Sequence, residues 1–151
     1  MIFEGKIPIR AQAPTVWDLL LDVNRMAACM PGVEEVTLID DRTFDGVIAA
    51  AVGPISGKFS FRARIVECTP PTAMVARLEG TDSVTNSALS GEMAMALDPA
   101  GADGTELAYR ASVDVQGRLA ILGDMVLRTT ALLIVEEFTK RLRAELERPG
   151  V

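Results

Sequence analysis

Alternation of apolar and polar positions dominates the middle of this chain. From Lys58 to Val66, Phe59, Phe61, Ala63 and Ile65 alternate with Lys58, Ser60, Arg62 and Arg64, which predicts a strand with one apolar face and one wet, basic face. Leu107, Tyr109, Ala111, Val113 and Val115 alternate in the same way with Glu106, Ala108, Arg110, Ser112 and Asp114. Between these runs, Leu89, Gly91, Met93, Met95 and Leu97 share one face. Turn signals at Asp40 with Asp41, Gly53 with Pro54, Pro70 with Pro71, and Gly101 to Gly104 divide the segments after Gly32 into an antiparallel meander.

Ahead of the meander, Ile2 to Arg10 reads as a strand with Ile7 and Ile9 on one face, and Pro8 places it at a sheet edge. Ala13 and Pro14 announce a helix, because proline fixes a helical φ where the first amides need no partner. Val16, Trp17, Leu20 and Leu21 form its apolar side. A second short helix is expected from about Val23 to Cys29, stopped by Pro31 and Gly32, which form either a rigid turn or a hinge at Met26 to Met30.

A long helix is expected from Arg118 to about Arg148, with Asp124 and Arg128 paired at i and i+4. Its first half, including Leu119, Ile121, Leu122, Met125, Val126 and Leu127, is apolar around most of its circumference and must be covered by more than one neighbour. Asp124 and Arg128 interrupt a run already short of the roughly 20 apolar residues of a membrane span. Gly117 marks a strand-to-helix corner. Gly123, read as lying inside the helix, calls for a close strand approach or a gap that admits a ligand. The order of elements is strand, two helices, six strands, long helix: an α+β domain over residues 1–151, its curved antiparallel sheet of about seven strands gripping the terminal helix.

Composition narrows the chemistry. The chain is 49% hydrophobic but only 5% aromatic, so its core is aliphatic and adaptable. It has no histidine, which removes the usual general base near neutral pH and the commonest nitrogen ligand of metals. Cys29 and Cys68 are too few for a thiolate metal site or a disulfide framework and are read as reduced, buried thiols. A net charge of −6 disfavours nucleic acid. The N-terminus lacks the basic flank and apolar run of a signal peptide, so a cytoplasmic location is expected.

No two carboxylates fall on one inward strand face: Glu34 with Glu35, Asp40 with Asp41 and Glu136 with Glu137 are sequence neighbours, which point to opposite sides of a strand. Met26, Met30, Met74, Met93, Met95 and Met125 are expected on inward faces or on the second short helix, where thioethers adapt to irregular guests. Periodicity cannot separate such a cavity wall from a filled core. Tyr109, the single tyrosine, either meets a guest or bonds a backbone carbonyl. Trp17 is read chiefly as an anchor for its helix. The stripe Lys58, Arg62 and Arg64 either meets anionic lipid or is a solvated face.

Phe3 with Gly5; Ala13, Pro14, Val16, Trp17, Leu20 and Asp22; Cys29 with Pro31 and Gly32; Gly53, Pro54 and Phe59; and Gly117, Leu119, Ala120, Leu122 and Gly123 give the whole chain a resemblance. It resembles the CoxG family of carbon monoxide dehydrogenase, a branch of the START-like (SRPBCC) helix-grip superfamily. The resemblance implies a deep apolar cavity between sheet and long helix and a non-catalytic accessory role, without cofactor or metal, beside a carbon monoxide dehydrogenase-type molybdenum hydroxylase. The expected guest is an isoprenoid quinone or fatty-acid-like lipid. The expected lining is Trp17, Met26, Met30, Phe59, Phe61, Met74, Leu78, Leu89, Met93, Met95, Tyr109, Leu119, Leu122, Met125 and Val126. Expected partners are the lipophile, such an enzyme and, transiently, the inner membrane surface; the long helix also permits a homodimer. The alternative is an assembly or membrane-recruitment factor whose cavity is incidental. Phe61 departs from the family pattern, where a small residue is expected, and implies a narrower cavity.

Overall fold

The alternating segments pair into a single seven-stranded antiparallel sheet in the computed structural model, which describes residues 1–52, 55–82 and 86–147. Its strands are β1 (Ile2–Ile9), β2 (Val33–Asp40), β3 (Thr43–Val52), β4 (Ile55–Thr69), β5 (Ala73–Asp82), β6 (Ser87–Pro99) and β7 (Thr105–Gly117). The spatial order β1-β7-β6-β5-β4-β3-β2 makes the last six strands a meander, with β1 added beyond β7. Pro8 therefore lies on an edge strand, where a missing amide removes no ladder bond. The expected turns at Asp40 with Asp41, at Pro70 with Pro71 and at Gly101 to Gly104 lie between strands; Gly53 and Pro54 lie outside the described residues.

Helices α1 (Ala13–Leu21) and α2 (Val23–Cys29) meet at Asp22. Its backbone N–H donates to the carbonyls of Asp18 and Leu19 and ends α1. Its carboxylate accepts from the amides of Asn24 and Arg25, at 3.1 and 3.2 Å, and caps α2. One short acidic residue thus fixes the angle between two helices that would otherwise leave orphan amides at the junction.

The expected continuous helix from Arg118 is broken. Arg118–Leu122 is a 3-10 helix, Gly123 follows with φ +87° and ψ 162°, and α3 runs from Asp124 to Leu146. A Cβ on Gly123 would meet nothing within 4 Å, so no strand approaches it. Glycine is needed there for its backbone angles, as it is at Gly117, where φ is +86°. Asp124 does pair with Arg128 at 3.7 Å. The same guanidinium lies 5.0 Å from the centre of the Phe3 ring and donates to the Ile2 carbonyl at 3.1 Å, which ties the start of α3 to β1.

The core divides into two clusters. The larger joins Ile7, Ile9, Val16, Trp17, Leu19, Leu20, Cys29, Met74, Leu97, Leu107 and Leu142, from β1, α1, α2, the middle strands and the end of α3. The smaller centres on Phe59 and Leu119, with Ile48, Val115, Leu122, Val126 and Leu127 packed around them. Leu119 is held there by its own amide, which donates to Ser87 Oγ at 3.1 Å. Among the described residues no helix is long and apolar enough to cross a membrane.

A candidate binding chamber between sheet and helix

The inward face of the sheet is built to keep its middle low. The two aromatic residues that could stand across it, Phe61 and Tyr109, each pair directly with a glycine on the neighbouring strand: Phe61 with Gly46 and Tyr109 with Gly5. A Cβ on Gly5 would lie 2.7 Å from the Tyr109 hydroxyl oxygen, and one on Gly46 would lie 2.6 Å from Phe61 Cζ. Both rings therefore lie flat over a glycine, Phe61 also meeting Phe44 edge-on with ring centres 6.2 Å apart. Phe61 does face inward, but it rests against the β3 side of the wall. The narrowing expected from its bulk is correspondingly small.

Between the rings, Ala63, Ala76, Gly80, Gly91 and Ala111 supply small side chains, and Leu78, Leu89, Met93, Met95 and Val113 stand among them half-buried. These apolar residues keep contact with open space, although the clusters at either end are closed. The helix that should cover them does so sparsely. Of the 23 residues of α3 only Leu142 is buried, and the main backbone contacts of α3 are with α2, the 3-10 helix, β1 and β3. Held near the two sides of a curved sheet, α3 bridges the middle strands without filling the space over them.

The residues expected to line a cavity separate into three groups. Trp17 and Met74 are buried in the larger cluster, Met26 packs at its margin, and Met30 is half-buried at the end of α2. Phe59 and Leu119 form the smaller cluster, with Leu122 and Val126 against it. Phe61, Leu78, Leu89, Met93, Met95 and Tyr109 lie on the open stretch between. Met125 is misassigned, since it is 82% exposed on the outer side of α3. The break at Gly123 resets the helical phase, so that Leu122 and Val126 turn inward while Ile121 and Met125 turn out. Gly5 and Gly46 went unrecognised because their role depends on strand register, which single-strand periodicity does not reveal.

Polar chemistry in this space is sparse. Thr105 Oγ1 donates to the Ala11 carbonyl at 2.6 Å, Ser87 Oγ holds Leu119, and Thr130 and Thr139 return their hydroxyls to the carbonyls of Val126 and Val135. The Tyr109 hydroxyl has no hydrogen-bond partner among the described residues and is not sealed from solvent. At the far end of the helix, Arg25 and Glu145 approach at 3.5 Å across α2 and α3. Burial pushes the Cys29 thiol above its ordinary range, with Glu145 adding to the effect, so it is a poor nucleophile near neutral pH. Cys68, expected to be buried, is only half so. Among the described residues no group of carboxylates and thiols is placed to hold a metal ion. The arrangement offers apolar contact and one free hydroxyl.

The outward basic stripe is largely neutralised. Lys58 pairs with Glu34 at 3.0 Å, and Arg62 makes a two-pronged contact with Asp45 at 2.7 and 2.9 Å.

Solved structures share the whole architecture. A conserved protein from Geobacillus kaustophilus superposes with a TM-score of 0.91 at 22% identity, covering 97% of this chain and 95% of that one. A START superfamily protein from Mycobacterium smegmatis gives 0.75 at 15% identity, covering 97% of both chains. The Zhui aromatase/cyclase from a Streptomyces species gives 0.72 at 17%, covering 98% of this chain and 94% of that one. At these identities the likeness establishes a START-like helix-grip fold, one that houses an enzyme in the last case. A search of curated proteins gives no match. The family model of CoxG, the G-type carbon monoxide dehydrogenase subunits, matches residues 5–147, and the chain belongs to that family.

Proposed function

We propose that the chamber binds an elongated lipophilic molecule carrying a hydrogen-bond acceptor, and that the protein serves as a non-catalytic accessory to a carbon monoxide dehydrogenase-type molybdenum hydroxylase. The observation that carries this reading is the half-buried apolar wall of Leu78, Leu89, Met93 and Met95 between two closed clusters, with the unpartnered Tyr109 hydroxyl beside it. Ligand sites have this character: mostly apolar, with few polar groups that set orientation. An isoprenoid quinone or a fatty-acid-like lipid meets it, because each joins a long apolar tail to an oxygen acceptor that Tyr109 can bond. The family supplies the enzyme partner. A cytoplasmic protein working at the inner membrane face suits such a cargo, and Ile121 and Met125, both 82% exposed beside the smaller cluster, offer apolar contact with lipid during exchange. Leu132 and Leu133, exposed further along α3, are the surface on which a homodimer would form.

Burying on the order of 300 Å² of guest surface supplies about 7 kcal/mol at roughly 25 cal/mol per Å². Ordering the guest and the loss of its free motion offset part of this gain. Affinity is expected in the micromolar range for a simple quinone analogue. The test is a fluorescence titration with a short-chain ubiquinone analogue and with a hydrocarbon probe of equal length. Tyr109→Phe should weaken the quinone about 2- to 12-fold, equivalent to 0.5–1.5 kcal/mol for one hydrogen bond, and leave the hydrocarbon unchanged. Equal effects on both probes, or no saturable binding of either, would overturn the proposal.

A further inference from the structure

The outward face of the sheet carries a separate groove of about 700 Å³. One row of its lining runs straight across six strands in direct register: Thr37, Asp45, Arg62, Glu79, Ser90 and Asp114. With strands about 4.8 Å apart, the row is roughly 24 Å long. Short side chains such as Ser60 and Ala88 leave its floor low.

Its charge is one-sided. Four carboxylates, Glu35, Asp45, Glu79 and Asp114, line it against the single guanidinium of Arg62. That guanidinium is already held by Asp45, and Glu35, Glu79 and Asp114 have no ion pair among the described residues. Their spacing is regular. Asp114 lies on β7, Glu79 on β5 and Asp45 on β3, so the acids of the row recur on every second strand, about 9.6 Å apart. An α-helix returns to the same face after seven residues, a rise of about 10.5 Å.

We infer that this groove is a docking surface for a basic helix of a partner protein, one presenting Lys or Arg at seven-residue intervals along a single face. Complementary charge of this kind fixes orientation and speeds encounter more than it adds affinity. The groove lies on the opposite face of the sheet from the chamber, so a docked partner leaves the chamber open. The inference does not depend on the chamber holding a guest.

The test uses the full chain and a fluorescein-labelled helical peptide of about 16 residues, the length that spans the row at 1.5 Å per residue. Its lysines stand at seven-residue intervals on a Gln and Ala background; a control peptide has the same composition with the lysines spread around the helix. Expected results are binding of the spaced peptide at least tenfold tighter than the control, and a loss of at least tenfold with the triple variant Glu35→Gln, Glu79→Gln, Asp114→Asn. Amide shifts should map to β3, β5 and β7, and the urea midpoint and quinone-analogue affinity of the variant should match the unmodified chain. Absent binding, equal affinity for the two peptides or the two proteins, or shifts confined to α3 would each overturn it.

Discussion

Gly5→Ala asks whether the space beside Tyr109 is open. The new Cβ would lie 2.7 Å from the Tyr109 hydroxyl oxygen and 3.0 and 3.1 Å from two ring carbons, so the ring must swing away from β1. If the middle of the wall is open, the swing costs about 0.5–1.5 kcal/mol in rotamer strain. Removing a glycine from the unfolded chain offsets about 0.4–1 kcal/mol of that. The expected net change is within about 1 kcal/mol. Gly46→Ala is the internal standard. Its Cβ would meet the Glu35 backbone carbonyl oxygen at 2.6 Å as well as the Phe61 ring, and backbone cannot swing aside. Overpacking of this kind costs about 1–3 kcal/mol. Urea unfolding followed by the fluorescence of Trp17, the single tryptophan, measures both variants on one scale. A Gly5→Ala loss as large as that of Gly46→Ala would show that Tyr109 has nowhere to go, and the reasoning that the wall is uncovered would fail.

Other outcomes follow from the same contacts. Leu142→Ala, at the one buried position of α3, should lose about 2–5 kcal/mol, while Met125→Ala should stay within about 0.5 kcal/mol, both read by urea midpoint. Ser87→Ala removes the acceptor of the Leu119 amide; hydrogen exchange should rise across Arg118–Leu122 with the α1 end of the core unaffected, and uniform exchange would contradict the pin. The hydrogen bond from Arg62 holds the Asp45 carboxyl below its ordinary value of about 3.9. Because the folded value is the lower one, this stabilisation is present above about pH 4 and is lost as pH falls further, so wild type should weaken more steeply there than Asp45→Asn. Half-buried Cys68 should react with a small thiol reagent well before Cys29, whose burial and raised pKa both slow it; the reverse order in peptide mapping would contradict the packing of α2.

Much of the fold was legible because local rules and tertiary packing agree. The alternation of Phe59, Phe61, Ala63 and Ile65 gave β4 its inward face, and Pro31 with Gly32 gave α2 its end. The failures share a physical cause: each depended on a partner that lies far away in sequence. Nothing within Arg118 to Arg128 signals that Gly123 adopts a positive φ, because its neighbours have good helical periodicity and the corner is set by Leu119 seating on Phe59 and Ser87. Met125 went to the wrong side as a direct result, since a helix counted from Arg118 has a different phase from one counted from Asp124. The turn after Asp82 carries no paired proline or glycine signal, and only the cross-strand partners Asp82 and Ser87 reveal it. The candidate lining was legible as a face but not as a space. That Phe61 and Tyr109 lie over glycines, leaving the middle strands low, required the register of β3 with β4 and of β1 with β7.

The central claim is that the uncovered wall holds a lipophilic guest, and Met93→Trp tests it most directly when paired with solvent extraction and mass spectrometry of the freshly purified proteins. Met93 is half-buried beside Ala76 and Ala111, so an indole placed there fills the space above the small residues. The account expects a lipophilic compound in extracts of the unmodified protein, its loss from the variant, and a urea midpoint for the variant that is unchanged or raised. An extract of the unmodified protein free of any such compound, with no uptake when an isoprenoid quinone is supplied, would contradict it. A variant that keeps its guest while losing stability by the roughly 1–3 kcal/mol of an overfilled core would contradict it equally.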